Sequence, residues 1–531
     1  METSANTSRP WHLSIPGMSL NLAVILRESA KRDPERVAII LDSFKFTYRQ
    51  LDVLSNQVAS SLKSAGLQKG DRVGLMLPNV PQFPIAYFGI LKAGGVVVPM
   101  NVLLKAPEIS FYMGDSGAHS LIVWDDFAAE ALKGIANLQG VSTYVALKPG
   151  ATDAPAGTRN FMELMGGDPG FDGEATQGDD TAVILYTSGT TGKPKGAELT
   201  HLNLFMNAHM NSHVFGSGPD DVTLAVLPMF HSFGQSAVMN VALHVGGTLT
   251  LVPRFDTEKV LEVIQRDRVT VFPGVPTMFF ALLHHPNAEK FDTSSLRIAV
   301  SGGAAIPGEV INAFERKYGI VILEGYGLSE TSPTATFNVS AKERKVLSIG
   351  KPLFGVEMKI FDEQNKELPP GKDHVGEIVI RGHNVMKGYW NQPEANIEAF
   401  KAGWFHSGDL GYVDEDGFFF IVDRKKEMII RGGFNVYPRE IEEVIYAHPA
   451  VAEAAVIGVP DERLGEEVKA VVSLKPGAQA SEEDIIAFVK ERVAAYKYPR
   501  SVQFVETLPK GATGKILKKE LKAQLEAAAR A

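Results

Sequence analysis

The sequence predicts an α/β protein. A large N-terminal domain of two doubly wound sheets carries a small β-barrel-like subdomain, and a small mobile α+β C-terminal domain follows. Three observations predict it. Short apolar runs alternate with helical patterns from Leu20 to Trp124 and again after Gly196. From about Ser348 to Val422 the pattern changes to short alternating strands between Pro/Gly turns, and the charged segment Asp423 to Glu427 then sets off a compact remainder. The expected domains are 1–425, with the β subdomain at about 348–422, and 426–531, with a hinge near Lys426.

In the first α/β stretch, Val37 to Leu41 reads as a strand, and Thr47 with Gln50 forms a capping box opening a helix that Gly66 ends. A strand at Val73 to Leu77 and a helix from Pro81 to Gly94 follow, then buried strands at Val96 to Val98 and Leu121 to Trp124. Residues 148–180, rich in Gly, Asp, Ala and Thr, read as a loop or seam. The second stretch supplies apolar runs at Leu224 to Leu227, Thr248 to Val252, Val269 to Phe272, Arg297 to Val300 and Ile320 to Leu323. Several end in turns suited to a ligand crevice: PMFHSFG, SGGAAIP and EGYGLSET. The β subdomain shows Val356 to Phe361, Gly376 to Arg381 and Phe418 to Val422. In the C-terminal unit, Pro438 opens a helix with Ile441, Val444 and Ile445 on one face, and strands run near Ala454 to Val459 and Val468 to Leu474. Ser481 and Asp484 cap a further helix, and a basic helix follows Gly514.

Composition excludes several classes. The formal charge of -9 argues against a nucleic-acid surface, so nucleic acid is not an expected partner. The absence of cysteine removes disulfides, thiolate metal sites and any thioester on this chain's own thiol. No run of 18 uncharged apolar residues occurs and METSANTSRPW is not a secretory leader, so the expectation is a cytoplasmic protein without an integral membrane segment.

The stretch Tyr186 to Gly196, YTSGTTGKPKG, directly follows the apolar run Ala182 to Leu185. Glycines let backbone N–H groups approach a ligand, hydroxyls add donors, and Lys193 and Lys195 add charge. Polyphosphate is the favoured ligand; a flexible polar surface loop is the competing reading. It is not a Walker A loop, because the second glycine of that pattern falls on Pro194 counted from Gly189, or on Ala197 counted from Gly192.

This loop, GYGLSET, WFHSGDL (Trp404 to Leu410), DRKKEMIIRGGFNVYP (Asp423 to Pro438) and PKGATGK (Pro509 to Lys515) together resemble the adenylate-forming superfamily. That superfamily includes acyl- and aryl-CoA synthetases, firefly luciferase and peptide-synthetase adenylation domains. The resemblance spans nearly the whole chain and is strongest to bacterial fatty-acyl-CoA synthetases. It implies a two-step reaction using ATP, Mg²⁺ and CoA. A carboxylate, a poor electrophile, attacks the α-phosphate of ATP; an external thiol then displaces AMP from the acyl-adenylate. A small-molecule carboxylic acid, ATP and CoA are the implied partners, and a homodimer is compatible.

Carried over by position, Thr187, Ser188, Gly189, Thr190, Thr191, Gly192 and Lys195 would hold the β- and γ-phosphates. Glu330 would hold Mg²⁺. Tyr326 would stack on adenine beside Gly302, Gly303 and Ala304, with Gly327 and Thr331 completing the nucleotide site. Asp409 would accept from the ribose hydroxyls, and Arg424 would donate to them. Lys515 would bridge the substrate carboxylate and the α-phosphate, and Lys426 would be the hinge. After rotation Arg431, Gly432 and Gly433 would line a pantetheine tunnel. His231 would flank the acyl pocket, with Phe230, Phe233, Met239, Val275 and Met278 as candidate lining and Gly234 leaving depth for a long chain. Three positions depart from the usual pattern: Ser407 in place of Thr, Asp423 where Gly is frequent, and SGGAAIP. The expected activity is AMP-forming ligation of a medium- or long-chain fatty acid to CoA. An aryl-CoA ligase, a luciferase-like oxygenase and a silent nucleotide-binding scaffold are the alternatives.

Overall fold

The computed structural model describes residues 20–187, 193–512 and 514–530. Among them, two large sheets form the N-terminal part. In the eight-stranded sheet, Thr181–Thr187, Val96–Pro99, Arg72–Met76, Ser120–Trp124 and Ser142–Ala146 run parallel in that order, and the short strand Arg159–Asn160 closes the edge. Lys195–Thr200 and Gly388–Tyr389 add antiparallel strands at the other edge. In the nine-stranded sheet, Ile322–Gly327, Ile298–Ser301, Val271–Gly274, Val222–Ala225, Thr248–Leu251 and Val37–Leu41 form the parallel centre. Strand Val37–Leu41 therefore leaves the sheet of its sequence neighbours and pairs with Thr248–Leu251, some two hundred residues away. Its apolar run fits either sheet, and helix Val24–Arg32, whose Ser29 hydroxyl donates to the Leu243 carbonyl at 2.7 Å, places it in the second.

The capping box forms as the residues demand: Thr47 N–H donates to Gln50 Oε1 at 2.9 Å, and Gln50 N–H to Thr47 Oγ1 at 3.2 Å. Helix Tyr48–Ser64 buries Leu51, Val58 and Leu62 against helix Gln82–Lys92. The two helices cross closely at Gly89, where a Cβ would stand 2.5 Å from Val58 Cγ1. Lys92, 1% exposed, is held there by Asp52, Ser55 and Asn56 at 2.6, 2.8 and 2.7 Å. Burial pushes its pKa down to about 8, against the pull of Asp52.

A curled antiparallel sheet of Val356–Phe361, Gly376–Gly382, Trp404–Val413, Phe400–Lys401 and Phe419–Arg424 forms the β subdomain. Sheet membership then changes. Strand Phe419–Arg424 pairs with Trp404–Val413, whereas Ile429–Arg431 pairs with Phe434–Val436 and Gly465–Leu474. The second of these sheets packs helices Pro438–Tyr446 and Glu482–Lys490 over a separate core that includes Ile441, Ile445, Val456, Val468 and Ile485. Among the described residues, no helix is long and apolar enough to cross a membrane.

Candidate active site

Most of the turns singled out above meet in one cleft of about 780 Å³, at the carboxyl ends of the nine-stranded sheet. Strand Val222–Ala225 leads to His231, Val271–Gly274 to Val275, Ile298–Ser301 to Gly302 and Gly303, and Ile322–Gly327 ends in Tyr326 and Gly327. The eight-stranded sheet closes one side with Thr187 and Lys195, and the C-terminal domain inserts Lys515 from above.

At the base of the cleft, Thr187 and Lys195 are register partners at the ends of two antiparallel strands. Ser188, Gly189, Thr190, Thr191 and Gly192 lie between them, outside the described residues. Glu330, buried at this base, accepts from Tyr389 Oη at 2.9 Å and Thr187 Oγ1 at 3.4 Å. Both contacts fall on Oε1, and none among the described residues falls on Oε2. Burial, then the charge of Glu330, pushes the Tyr389 phenol above its ordinary pKa, so it stays a donor. Tyr389 was not anticipated from the sequence; its pairing with Ala197 brings it here across a gap of almost two hundred residues. Among the described residues no group of three or more His, Cys, Asp or Glu could hold a metal alone. One carboxylate oxygen with no bond among the described residues fits Mg²⁺, which takes most of its ligands from phosphates and water.

Elsewhere on the cleft wall, Tyr326 Oη donates to Asp409 Oδ2 at 2.7 Å, and Arg424 Nε lies 3.3 Å from Asp409 Oδ1. Asp409 and Arg424 face each other as register partners. Burial opposes the Arg424 charge, but Asp409 and Glu427 more than offset it and its pKa rises. Ser407 does the work its Thr counterpart would: its Oγ accepts from the Asp409 N–H at 3.1 Å and donates to the Ile378 carbonyl at 2.7 Å. Gly327 admits no side chain, since a Cβ would lie 1.8 Å from the Pro333 carbonyl oxygen. Thr331 is buried away from the cleft wall, its hydroxyl accepting from Leu328 N–H and donating to Pro333 within its own turn. Ala304 also lies off the wall, whereas Gly302 lets the Phe233 ring lie against backbone.

Lys515 belongs to a tight hairpin closed by Gly511 N–H to the Lys515 carbonyl and Leu517 N–H to the Pro509 carbonyl, each 2.9 Å. Thr277 Oγ1 docks that hairpin by donating to the Gly514 carbonyl at 3.3 Å. Burial, then the nearby Arg424 charge, lowers the Lys515 pKa to about 8. His231, wrapped by protein but facing the cleft, is pushed down to about 4 by burial and then by Lys515, so it is neutral at physiological pH. Its Nδ1 accepts from the Phe233 N–H at 3.3 Å, which leaves the proton on Nε2.

Phe230, Phe233, Val275 and Gly234 line the cleft as expected. Met239 and Met278 do not; both are core residues. Gly234, for its part, stands against backbone, where a Cβ would meet the Pro228 and Leu227 carbonyl oxygens at 2.3 and 2.6 Å. Its smallness answers a backbone approach. Phe215, Ala237, Thr334 and Phe337 line the pocket unanticipated, from segments whose apolar residues looked like ordinary core. Lys426 lines the cleft; burial, then Arg424, lowers its pKa. Arg431, Gly432 and Gly433 lie outside the cleft in a hairpin turn, with both glycines at positive φ and Arg431 paired with Glu467 at 2.6 and 2.8 Å.

Residues 26–390 match the family model of the AMP-binding enzymes and residues 440–515 that of the AMP-binding enzyme C-terminal domain. The long-chain-fatty-acid–CoA ligase of Bacillus subtilis is 40% identical over 96% of this chain and 95% of its own length. The feruloyl-CoA synthase of an Amycolatopsis species is 38% identical over 93% and 96%. Among solved structures, the anthranilate CoA ligase AuaEII in complex with anthranoyl-AMP superposes with a TM-score of 0.91 at 31% identity, over 97% of this chain and 99% of that one. Enzymes of this group work with ATP, Mg²⁺ and CoA. The chain belongs to the AMP-binding, adenylate-forming enzyme family and is an AMP-forming acyl- or aryl-CoA ligase.

Proposed function

We propose that this enzyme activates an apolar monocarboxylic acid, a medium- or long-chain fatty acid, and passes the acyl group to CoA. The observation that carries this reading is the division of the cleft. Its cations Lys195, Arg424, Lys425, Lys426 and Lys515 stand at the nucleotide end, while Phe215, Phe233, Ala237, Val275 and Phe337 line the other. Among the described residues no lysine or arginine stands with these apolar lining residues, so a second carboxylate on the acid would be buried unpaired, at high cost. The 40% identity to a fatty-acid ligase supports an alkyl chain. A second reading, an aryl acid held beside Phe233 in the same apolar lining, is favoured by the feruloyl-CoA synthase at 38%.

In the first step the acid's carboxylate oxygen attacks the α-phosphorus of ATP, the bond to pyrophosphate breaks, and acyl-adenylate forms. Thr187 and Lys195 bind the departing phosphates. Glu330 would hold Mg²⁺ by the oxygen facing the site, and the ion, when bound, offsets phosphate charge. Asp409 and Arg424 fix the ribose, and Tyr326 stacks on the base. Lys515 places its cation between carboxylate and α-phosphate, where negative charge builds, and the neutral His231 offers its Nε2–H to the acid. In the second step the C-terminal domain turns about Lys426, withdraws Lys515 and brings Arg431, Gly432 and Gly433 to the cleft. The CoA thiol, losing its proton, attacks the acyl carbonyl and AMP leaves.

The test is AMP release with Mg-ATP and CoA across acids from acetate through long-chain fatty acids to benzoate and cinnamates, with a dicarboxylic acid included. A maximum among aliphatic monoacids supports the reading. A maximum among aromatic acids replaces it with the second, and a preference for the dicarboxylic acid overturns both.

A further inference from the structure

Behind the nucleoside end of the cleft lies a group of covered carboxyls that the reaction above does not use. Glu324 sits on strand Ile322–Gly327, two residues before Tyr326, and is 5% exposed. Its Oε1 accepts from the Ile306 N–H at 3.5 Å, and the charged groups facing it, Arg439 and Glu443, come from the C-terminal domain. Arg439 and Glu443 are four residues apart on helix Pro438–Tyr446 and share one face. Arg439 Nη1 donates to the Ile421 carbonyl at 2.8 Å, and its backbone N–H donates to Asp423 Oδ2 at 3.0 Å. Gly308 N–H donates to Glu443 Oε2 at 3.4 Å. One helix of the C-terminal domain thus bonds to Gly308, at the start of helix Gly308–Tyr318, and to strand Phe419–Arg424, and its charges face Glu324 on the strand carrying Tyr326.

The charges are unbalanced. One guanidinium, Arg439, serves Glu324 and Glu443, while Asp423 sees Lys518 and Glu442, and Glu442 also faces Glu443. Burial raises Glu324 to about 7 and moves Glu443 upward; Arg439 acts in the opposite direction on both. On the two-step reading proposed above, a turn of the domain withdraws Arg439 and Glu443 from Glu324.

We propose that Glu324, Arg439 and Glu443 form a seat that holds the C-terminal domain in the arrangement with Lys515 in the cleft, making them positioning residues for the first half-reaction alone. The proposal rests on the two-step reading. The same helix must leave the seat before Arg431 to Gly433 can reach the cleft. A carboxyl whose pKa is higher when seated takes up a proton on seating. Seating is therefore strongest below the ordinary carboxylate range, weakens as pH rises toward about 7 through Glu324, and stays at its weaker level above it.

The experiment measures the two half-reactions separately on the full chain at pH 6 and pH 8. Pyrophosphate release from fatty acid and Mg-ATP without CoA reports the first; thioester formation from supplied acyl-adenylate and CoA reports the second. Arg439→Gln should slow the first by roughly tenfold and leave the second within about twofold of the parent. Glu324→Gln, which keeps the acceptor but not the charge, should retain at pH 8 more of its pH 6 first-step rate than the parent does. Lys515 is present in both proteins, so its own titration cancels from that comparison. Equal losses in both steps, or an unchanged ratio of the two, overturn the seat. If Arg439→Gln lowers the melting midpoint, Glu443→Gln decides: a shifted ratio supports the seat and an unshifted one ends it. A parent enzyme that forms no thioester with any acid would instead refute the proposed function, which keeps the two failures apart.

Discussion

At the scale of the residue, the site depends on groups whose properties are set by where they are buried. Lys515 loses its charge as pH rises through about 8, because burial lowers its pKa from the ordinary lysine range. On the proposed mechanism acyl-adenylate formation needs the cation, so its kcat/KM in the free enzyme should fall above about pH 8, whereas Lys515→Arg should be slower but lack that alkaline limb. An identical limb in both proteins would assign it to another group. Lys515→Ala should cost adenylation at least roughly 100-fold while sparing thioester formation from supplied acyl-adenylate. Glycines mark a different constraint. Gly234→Ala should lower stability through collision with the Pro228 carbonyl and leave acid chain-length preference unchanged, as read from an urea melt and the acid panel. A preference shifted toward shorter chains would return Gly234 to the role of leaving depth.

At the scale of the element, two helices and their crossing carry a buried charge on behalf of the fold. Lys92 has no part in the cleft and is satisfied by Asp52, Ser55 and Asn56. Asp52→Ala strands the ammonium and should destabilise the N-terminal domain by about 2–3 kcal/mol in urea unfolding, while Asp52→Ala with Lys92→Met should recover most of the loss. No recovery would show that the packing around Gly89, and not the charge, dominates. The hairpins show the complementary case. Strand Lys195–Thr200 was not anticipated, since its apolar positions are few, and it exists because Thr181–Thr187 offers an edge to pair with. That pairing sets Lys195 opposite Thr187 and, through Gly388–Tyr389, brings Tyr389 to Glu330.

At the scale of the whole molecule, the C-terminal domain has its own core, and its polar contacts with the rest include Thr277 with Gly514, Gly308 with Glu443, and Arg439 with Asp423. Such an interface suits the turn proposed for this domain. Because the chain has no cysteine, one engineered pair can test this without background. Thr277→Cys with Ala512→Cys, joined by a short bis-methanethiosulfonate that loses sulfinate at each end, should keep pyrophosphate release and abolish CoA-dependent turnover until reductant cleaves the link. Full CoA-dependent turnover in the linked protein would show that no rotation is needed.

The sequence by itself determined the local and ordered features: the capping box at Thr47, the strand runs of both sheets, the α+β character after Glu427, and the motifs that bring Lys515, Glu330, Asp409 and Arg424 to notice. These are legible because periodicity, capping and glycine-rich turns act over a few residues. Only the tertiary structure decided that Val37–Leu41 joins the distant sheet, that Tyr389 meets Glu330, that Thr331 and Ala304 stand off the cleft wall, and that Gly234 serves the backbone. It also assembled Glu324, Arg439 and Glu443 from two domains. Each of these depends on which surfaces meet across long stretches of chain, and an apolar or charged residue looks the same in sequence whether it ends in a core, a pocket wall or an interface.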